Sequence, residues 1–152
     1  MLYLKHTRTD DNALNQIAKI EGLEELKLDN TQISGDGVVH LARLGKLKRL
    51  SLKGTRVDDT GAEYLANLGS LEFLNLQNTK ITDKGLEYVG RLTKLQMLFL
   101  DDLPITDLGV RHLFALQQLN KLALFHTDVT DEGEAALLKA IPNLDPLTGL
   151  LR

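Results

Sequence analysis

One period governs this chain. Leu23, Leu47, Leu71, Leu95 and Leu119 stand 24 residues apart, and each opens the same run of residue types. LEELKLDNTQISGDGVVHLARLGK is followed by LKRLSLKGTRVDDTGAEYLANLGS, LEFLNLQNTKITDKGLEYVGRLTK, LQMLFLDDLPITDLGVRHLFALQQ and LNKLALFHTDVTDEGEAALLKAIP, with no slip of register. A shortened copy precedes them, in which Leu2, Leu4 and Thr7 align with Leu26, Leu28 and Thr31. A unit this short cannot bury its own apolar stripe, so the copies must stack on one another.

Each copy reads L-x-x-L-x-L-x-x-T-x-[IV]-[STD]-x-x-G and then changes period. The alternating pair Leu74 and Leu76 gives a short strand with one buried face. Leu86, Val89 and Leu92 recur at steps of three, which is one face of a helix. Ser34, Asp58, Thr82, Thr106 and Thr130 sit where a side-chain oxygen can cap the free N–H groups of that helix. Asp59, Asp83, Asp107 and Asp131 follow, where negative charge complements the helix dipole. Gly37, Gly61, Gly85, Gly109 and Gly133 recur in the first turn, which implies a tightly packed backbone there, because glycine weakens a helix.

The fold class expected is α/β: a right-handed solenoid with a parallel β-sheet on the concave face and helices on the convex face. It forms a single domain over 1–152, with a partial repeat at 1–22, repeats at 23–46, 47–70, 71–94, 95–118 and 119–142, and a cap at 143–152. Pro142 and Pro146 limit further backbone pairing and Gly149 replaces a leucine after Leu144 and Leu147, so the cap reads as irregular. At the other end Met1-Leu2-Tyr3-Leu4 begins inside a strand with no polar unit before it. That points to a fragment of a longer protein, or to an edge covered by another chain.

The repeat resembles the leucine-rich repeat family over essentially the whole chain. Its T-x-I-T-D-x-G-L-x-x-L form is similar to the cysteine-containing and GALA-type members, some of which serve as the receptor part of F-box proteins. It departs from them in lacking cysteine and in carrying threonine where many such repeats have asparagine or cysteine. With no F-box visible, the ubiquitin-ligase role of those relatives is not carried over. The resemblance implies a recognition scaffold rather than a catalyst.

Composition narrows the function classes. With 43% hydrophobic and 26% charged residues and a net charge of -3, the chain has the make-up of a soluble folded protein. The mild acidic balance offers no basic face for nucleic acid, and no apolar run is long enough to span a membrane. Without cysteine there is no disulfide, thiolate nucleophile or zinc–thiolate site. That absence is compatible with any compartment, the cytoplasm being slightly favoured.

The third, fifth, seventh and eighth positions of each repeat are expected to point out of the sheet. Phe73, Phe99 and Phe125 fall on them in a diagonal over successive strands, three of the four phenylalanines of the chain. At strand spacings of about 4.8 Å and a two-residue rise of about 6.6 Å, diagonal neighbours lie about 8 Å apart, within reach of aromatic rings. With Met97 they form an exposed apolar strip of the kind that marks a contact surface. Asp101, Asp102, Lys121 and His126 flank it, and Asp102 and His126 share one position on adjacent strands, which allows an ion pair. Lys5, Lys27, Arg49 and Lys53 mix with Glu25 and Asp29, the pattern of a solvated surface. His6 and His126 lie too far apart to share a metal. On the outer face His40, Tyr64, Tyr88 and His112 share one helix position, where amphipathic rings cover neighbouring helices.

In LFLDDLPITDLG (98–109) Leu103 replaces the threonine and Pro104 follows, yet the period survives. Leu103 is expected to fill the inward position with carbon. Pro104 removes a donor where the strand already ends, and the altered loop is placed to re-aim Asp101 and Asp102. The function expected is a protein–protein interaction module that holds a protein or peptide on its concave face, through Phe73, Met97, Phe99, Asp101, Asp102, Lys121, Phe125 and His126. The alternative is a structural or assembly segment acting through its N-terminal edge, against another chain or an upstream domain. Nothing in the sequence assembles a nucleophile, base and oxyanion donors, so no enzyme activity, cofactor or metal is expected, nor a nucleic-acid or membrane partner.

Overall fold

The structure is a computed structural model that describes residues 1–145 and 150–151. Strands β1 (Leu2–Tyr3), β2 (Glu25–Lys27), β3 (Arg49–Ser51), β4 (Phe73–Asn75), β5 (Met97–Phe99), β6 (Lys121–Ala123) and β7 (Leu150–Leu151) form one parallel sheet in chain order. Between them lie α1 (Asp11–Ile17), α2 (Gly35–Val38), α3 (Asp59–Leu65), α4 (Asp83–Val89), α5 (Asp107–Val110) and α6 (Asp131–Ala140). This is the expected α/β solenoid. Its register follows the sequence period: Glu25 pairs with Arg49, Arg49 with Phe73, Phe73 with Met97, and Met97 with Lys121.

The C-terminal strand differs from expectation. Leu150 pairs with Leu122, so backbone pairing resumes after the two prolines instead of stopping at them. The step is 28 residues where Leu98 to Leu122 is 24, and the added length follows a helix three residues longer than α3 or α4. Pro146, Leu147 and Gly149 lie outside the described residues.

Each repeat places its apolar residues in columns. Leu26, Leu50, Leu74, Leu98 and Leu122 are buried, as are Ile33, Val57, Ile81, Ile105 and Val129 beyond the turn. Each side chain covers its equivalent one repeat away, and a fully buried leucine contributes about 1.5–3 kcal/mol relative to exposure. α2 and α5 are short and continue as 3₁₀ turns over Val39–Arg43 and Arg111–Ala115. Both carry valine, at Val38 and Val110, where α3 has Ala62 and α4 has Leu86. A β-branched side chain lowers helix preference at that point.

Polar groups then lock one repeat to the next. After each strand one residue adopts a left-handed backbone: His6, Asn30, Gly54, Asn78, Asp102 and His126 have φ between 51° and 66°. This turns the chain while the N–H still reaches across, as from Asn78 to the Asp101 carbonyl at 3.0 Å. Asn, Asp, His and Gly are the residues that tolerate this region, so backbone geometry accounts for the whole column. Next, Thr7, Thr31, Thr55, Thr79 and Thr127 donate their hydroxyls to the leucine carbonyls three residues back at 2.6–2.8 Å.

The aspartates and glycines of the helix start form a single device. Asp11, Asp59, Asp83 and Asp107 reach into the following repeat, and each accepts the backbone N–H and the hydroxyl of Ser34, Thr82, Thr106 or Thr130 at 2.6–2.8 Å. Asp107 is held below the usual carboxylate range chiefly by the Thr130 N–H, then by its hydroxyl. The glycine makes room: a Cβ on Gly109 would lie 2.1 Å from Asp83 Oδ1, and one on Gly85 would lie 2.4 Å from Asp59 Oδ1. One junction exchanges the parts. Gly35 stands where the aspartate is expected, Asp58 where the threonine is, and a Cβ on Gly35 would lie 2.1 Å from Asp58 Oδ1. Four of the five expected capping groups accept a first-turn N–H, whereas Ser34 makes no such bond and gives its hydroxyl to Asp11.

The DDLP stretch keeps its place in the sheet. Asp102 has the ordinary left-handed turn, its N–H bonds the Phe125 carbonyl, and Leu103 is 2% exposed in the core. Pro104 removes more than the sequence implied. Gln32, Arg56, Lys80 and Asp128, at the same position in other repeats, donate to the preceding repeat at 2.8–2.9 Å. Proline has no N–H to give Ile81, so one rung of that second ladder is missing.

The aspartate device makes a direct test. Gly109→Ala should lower stability by about 1–2 kcal/mol despite alanine's better helix propensity, since the methyl meets the Asp83 carboxylate. Gly69→Ala, where nothing lies within 4 Å of the added Cβ, should stay within about 0.5 kcal/mol. Asp83→Ala combined with Gly109→Ala should cost less than the sum of the two, as read from urea unfolding midpoints.

Candidate functional site on the sheet face

The strands present a row of side chains in lateral register: Arg49, Phe73, Met97 and Lys121 on β3 to β6. Phe99, two residues along β5 from Met97, meets Phe73 with ring centroids 5.5 Å apart and planes tilted by 44°. That separation is within the favourable range for aromatic pairs. The Arg49 guanidinium lies 4.4 Å from the Phe73 centroid, a cation–π arrangement. Its Nε is 3.9 Å from Glu25 Oε1, Glu25 holds Lys27 Nζ at 3.0 Å, and Lys27 lies 4.8 Å over the Tyr3 ring. One connected chain of contacts therefore runs from Tyr3 to Phe99 across five strands. The hydrogen bond from Lys27 holds the Glu25 carboxyl below its ordinary value; desolvation opposes this, and the Lys27 charge, Tyr3 and Arg49 reinforce it.

The other expected site residues fall into different settings. Asp101 is 5% exposed, and its carboxylate accepts the Phe125 N–H at 2.9 Å instead of facing solvent. β6 has ended by Phe125, and the side chain supplies the acceptor there. Asp29, the equivalent residue three repeats earlier, is buried too, holding Lys5 Nζ at 2.5 Å and the Ser51 hydroxyl. Ser51 and Ala123 of the fifth position are also buried, so that column is outward only in part. Asp102 Oδ1 lies 2.8 Å from His126 Nδ1, the pair the sequence implied, on the exposed left-handed turns. The neighbouring Thr127 hydroxyl is given to the Leu124 carbonyl. Phe125 is 38% exposed beyond the end of β6, and among the described residues Phe73–Phe99 is the only ring pair, so the diagonal stops at two rings.

Arg49 is the residue that sequence reasoning placed differently, as one of a mixed set of solvated charges. Its position beside Phe73 in the repeat register was the signal that could have found it. Lys53 and Lys121 have no ion-pair partner among the described residues, whereas Lys5 and Lys27 do. On the outer face Tyr64 and Tyr88 pack against the core, and the Arg91 guanidinium lies 5.0 Å from the Tyr88 centroid. Phe114 also packs against that core. Among the described residues, no group of three or more His, Asp or Glu is placed to hold a metal, and no helix is long and apolar enough to cross a membrane.

The family model of the leucine-rich repeat matches residues 46–66 and 70–90, the third and fourth copies of the period. Most of the chain superposes on solved leucine-rich repeat structures. An internalin C2 from Listeria monocytogenes is similar with a TM-score of 0.67 and 24% identity, over 90% of this chain and 64% of that one. This chain folds as a leucine-rich repeat solenoid.

A leucine-rich repeat protein from Leptospira interrogans is similar with a TM-score of 0.67 and 23% identity, over 86% of this chain and 32% of that one. An internalin (inlF) from L. monocytogenes gives a TM-score of 0.54 and 18% identity, over 95% of this chain and 52% of that one. The chain thus spans less than two thirds of the length of each of these structures. A search of curated protein sequences gives no match. In this repeat solenoid the recurring leucines, threonines, aspartates and glycines are accounted for by the scaffold. The residues that differ from copy to copy on the sheet face are the ones that the scaffold does not account for.

The charge network can be tested by titration. NMR should place the Glu25 midpoint below 4.5, and Lys27→Met should raise it more than Arg49→Met does. A folded-state pKa below the unfolded one means that the unfolded chain binds more protons between the two values. Glu25 therefore stabilises the fold above its ordinary value, and that contribution is lost as pH falls through the depressed one. The Lys27→Met variant should show a shallower loss of stability over that interval.

Proposed function

We propose that this leucine-rich repeat protein binds a protein or peptide on the concave face of its sheet. The fold supports a protein-interaction role in general. The observation that carries the finer reading is the Phe73–Phe99 pair, partly exposed at the middle of the sheet, with Met97 beside it and Arg49 stacked on its outer side. Aromatic and arginine anchors at the centre of a face are the residues that carry most binding energy at protein interfaces. Lys121, Asp102, His126 and Phe125 surround that centre and supply the rim. Asp101 contributes by fixing the Phe125 backbone.

Phe99→Asp tests the reading. Partner capture should weaken at least about 30-fold, the effect of losing an interface anchor worth 2 kcal/mol or more. Thermal unfolding should shift by only a few degrees, because the side chain is lost from the surface layer and not from the core. Undiminished capture by a folded Phe99→Asp protein overturns the reading.

A further inference from the structure

Building on that reading, we infer that the partner presents an extended segment in which two acidic residues, four apart, flank a central apolar one. The inference comes from charge and spacing along one row. Arg49, Phe73, Met97 and Lys121 occupy the same position on four adjacent strands, so the row runs cation, ring, thioether, cation. Three strand spacings of about 4.8 Å put its two ends about 14 Å apart. An extended chain rises about 3.4 Å per residue, so residues i and i+4 lie about 13.5 Å apart, and i, i+2 and i+4 share one face. A segment lying across the strands therefore sets its first and fifth side chains at Arg49 and Lys121, and its third over Phe73 and Met97.

The two charged ends of this row have one sign. Glu25 is paired with Lys27 and Asp29 with Lys5, while the negative charges of Asp101 and Asp102 lie four and five residues beyond Met97, where Asp101 accepts the Phe125 N–H and Asp102 lies beside His126. Lys121 and Lys53 are left with no ion-pair partner among the described residues, and Arg49 has only the long 3.9 Å contact to Glu25. In a chain of net charge -3, two cations thus bracket the apolar middle of this row. A folded second copy does not supply the matching segment. The one acid-x-apolar-x-acid spacing in this sequence is Glu21 to Glu25, and its central Leu23 is buried at 5% exposure.

The probe is a synthetic, end-blocked heptapeptide of sequence glycine–glutamate–serine–phenylalanine–serine–glutamate–glycine, titrated into the full ¹⁵N-labelled chain at low salt. The expected result is a set of amide shifts confined to β3 through β6, with binding about tenfold weaker when both glutamates are replaced by lysine. Adding 0.5 M salt should remove most of that difference. The double variant Arg49→Glu with Lys121→Glu should reverse the preference, and retained amide dispersion shows that it is folded. Equal binding of the two peptides overturns the acidic inference while leaving a concave-face site in place. Binding of neither at millimolar concentration also overturns it, and the Phe99→Asp capture experiment then judges the broader reading by itself. Shifts centred on the outer helices would count against both.

Discussion

The carboxylate that passes from one repeat to the next is the interaction on which the rest of this molecule depends. A parallel sheet of two- and three-residue strands offers few hydrogen bonds per repeat, and leucine columns alone would let neighbours slide or rotate. Asp59, Asp83 and Asp107 prevent that by holding both the N–H and the hydroxyl of a residue in the following copy. Two bonds from one side chain define an orientation as well as a distance. The glycine opposite is part of the same arrangement, and so is the exchanged pair Gly35 and Asp58, which fills the same space from the other side.

That rigidity is what gives the sheet face its meaning. Because β1 to β6 pair with their neighbours at an unvarying offset, residues one period apart become lateral neighbours. The row from Arg49 to Lys121 and the contact of Phe73 with Phe99 follow from register. Under the proposed reading, function resides in the few positions that register leaves variable. The Asp102–His126 pair belongs to the scaffold as much as to the face, since both residues occupy backbone turns that few side chains tolerate.

Much of this was legible before any coordinates. The period gave the solenoid, the alternation gave the strands, and the diagonal of phenylalanines led to the aromatic pair. What was not legible involved side chains acting at a distance from their own backbone. The aspartates at the helix starts read as dipole partners because local geometry is all that a linear pattern conveys; their bonds lie 23 residues away. Asp101 read as outward because position parity places it so, and only the end of β6 shows that its carboxylate is needed by Phe125. Phe125 itself lies past the strand, where alternation no longer sets direction.

The missing rung at Pro104 has a mechanical consequence. A stack in which each unit touches only its neighbours behaves as a series of springs, and the compliance of the whole gathers at the weakest joint. The joint that lacks the rung lies between the copies beginning at Leu71 and Leu95, which carry Phe73 on one side and Phe99 on the other. The sheet bonds there are intact, as from Leu76 to the Phe99 carbonyl at 2.9 Å, while the loop side lacks the bond that Ile81 would receive. Bending at this joint pivots about the sheet and changes the angle between the two rings more than their separation. The aromatic pair thus straddles a joint with one bond fewer on its loop side, where small adjustments of curvature are less opposed than at a joint that keeps the rung.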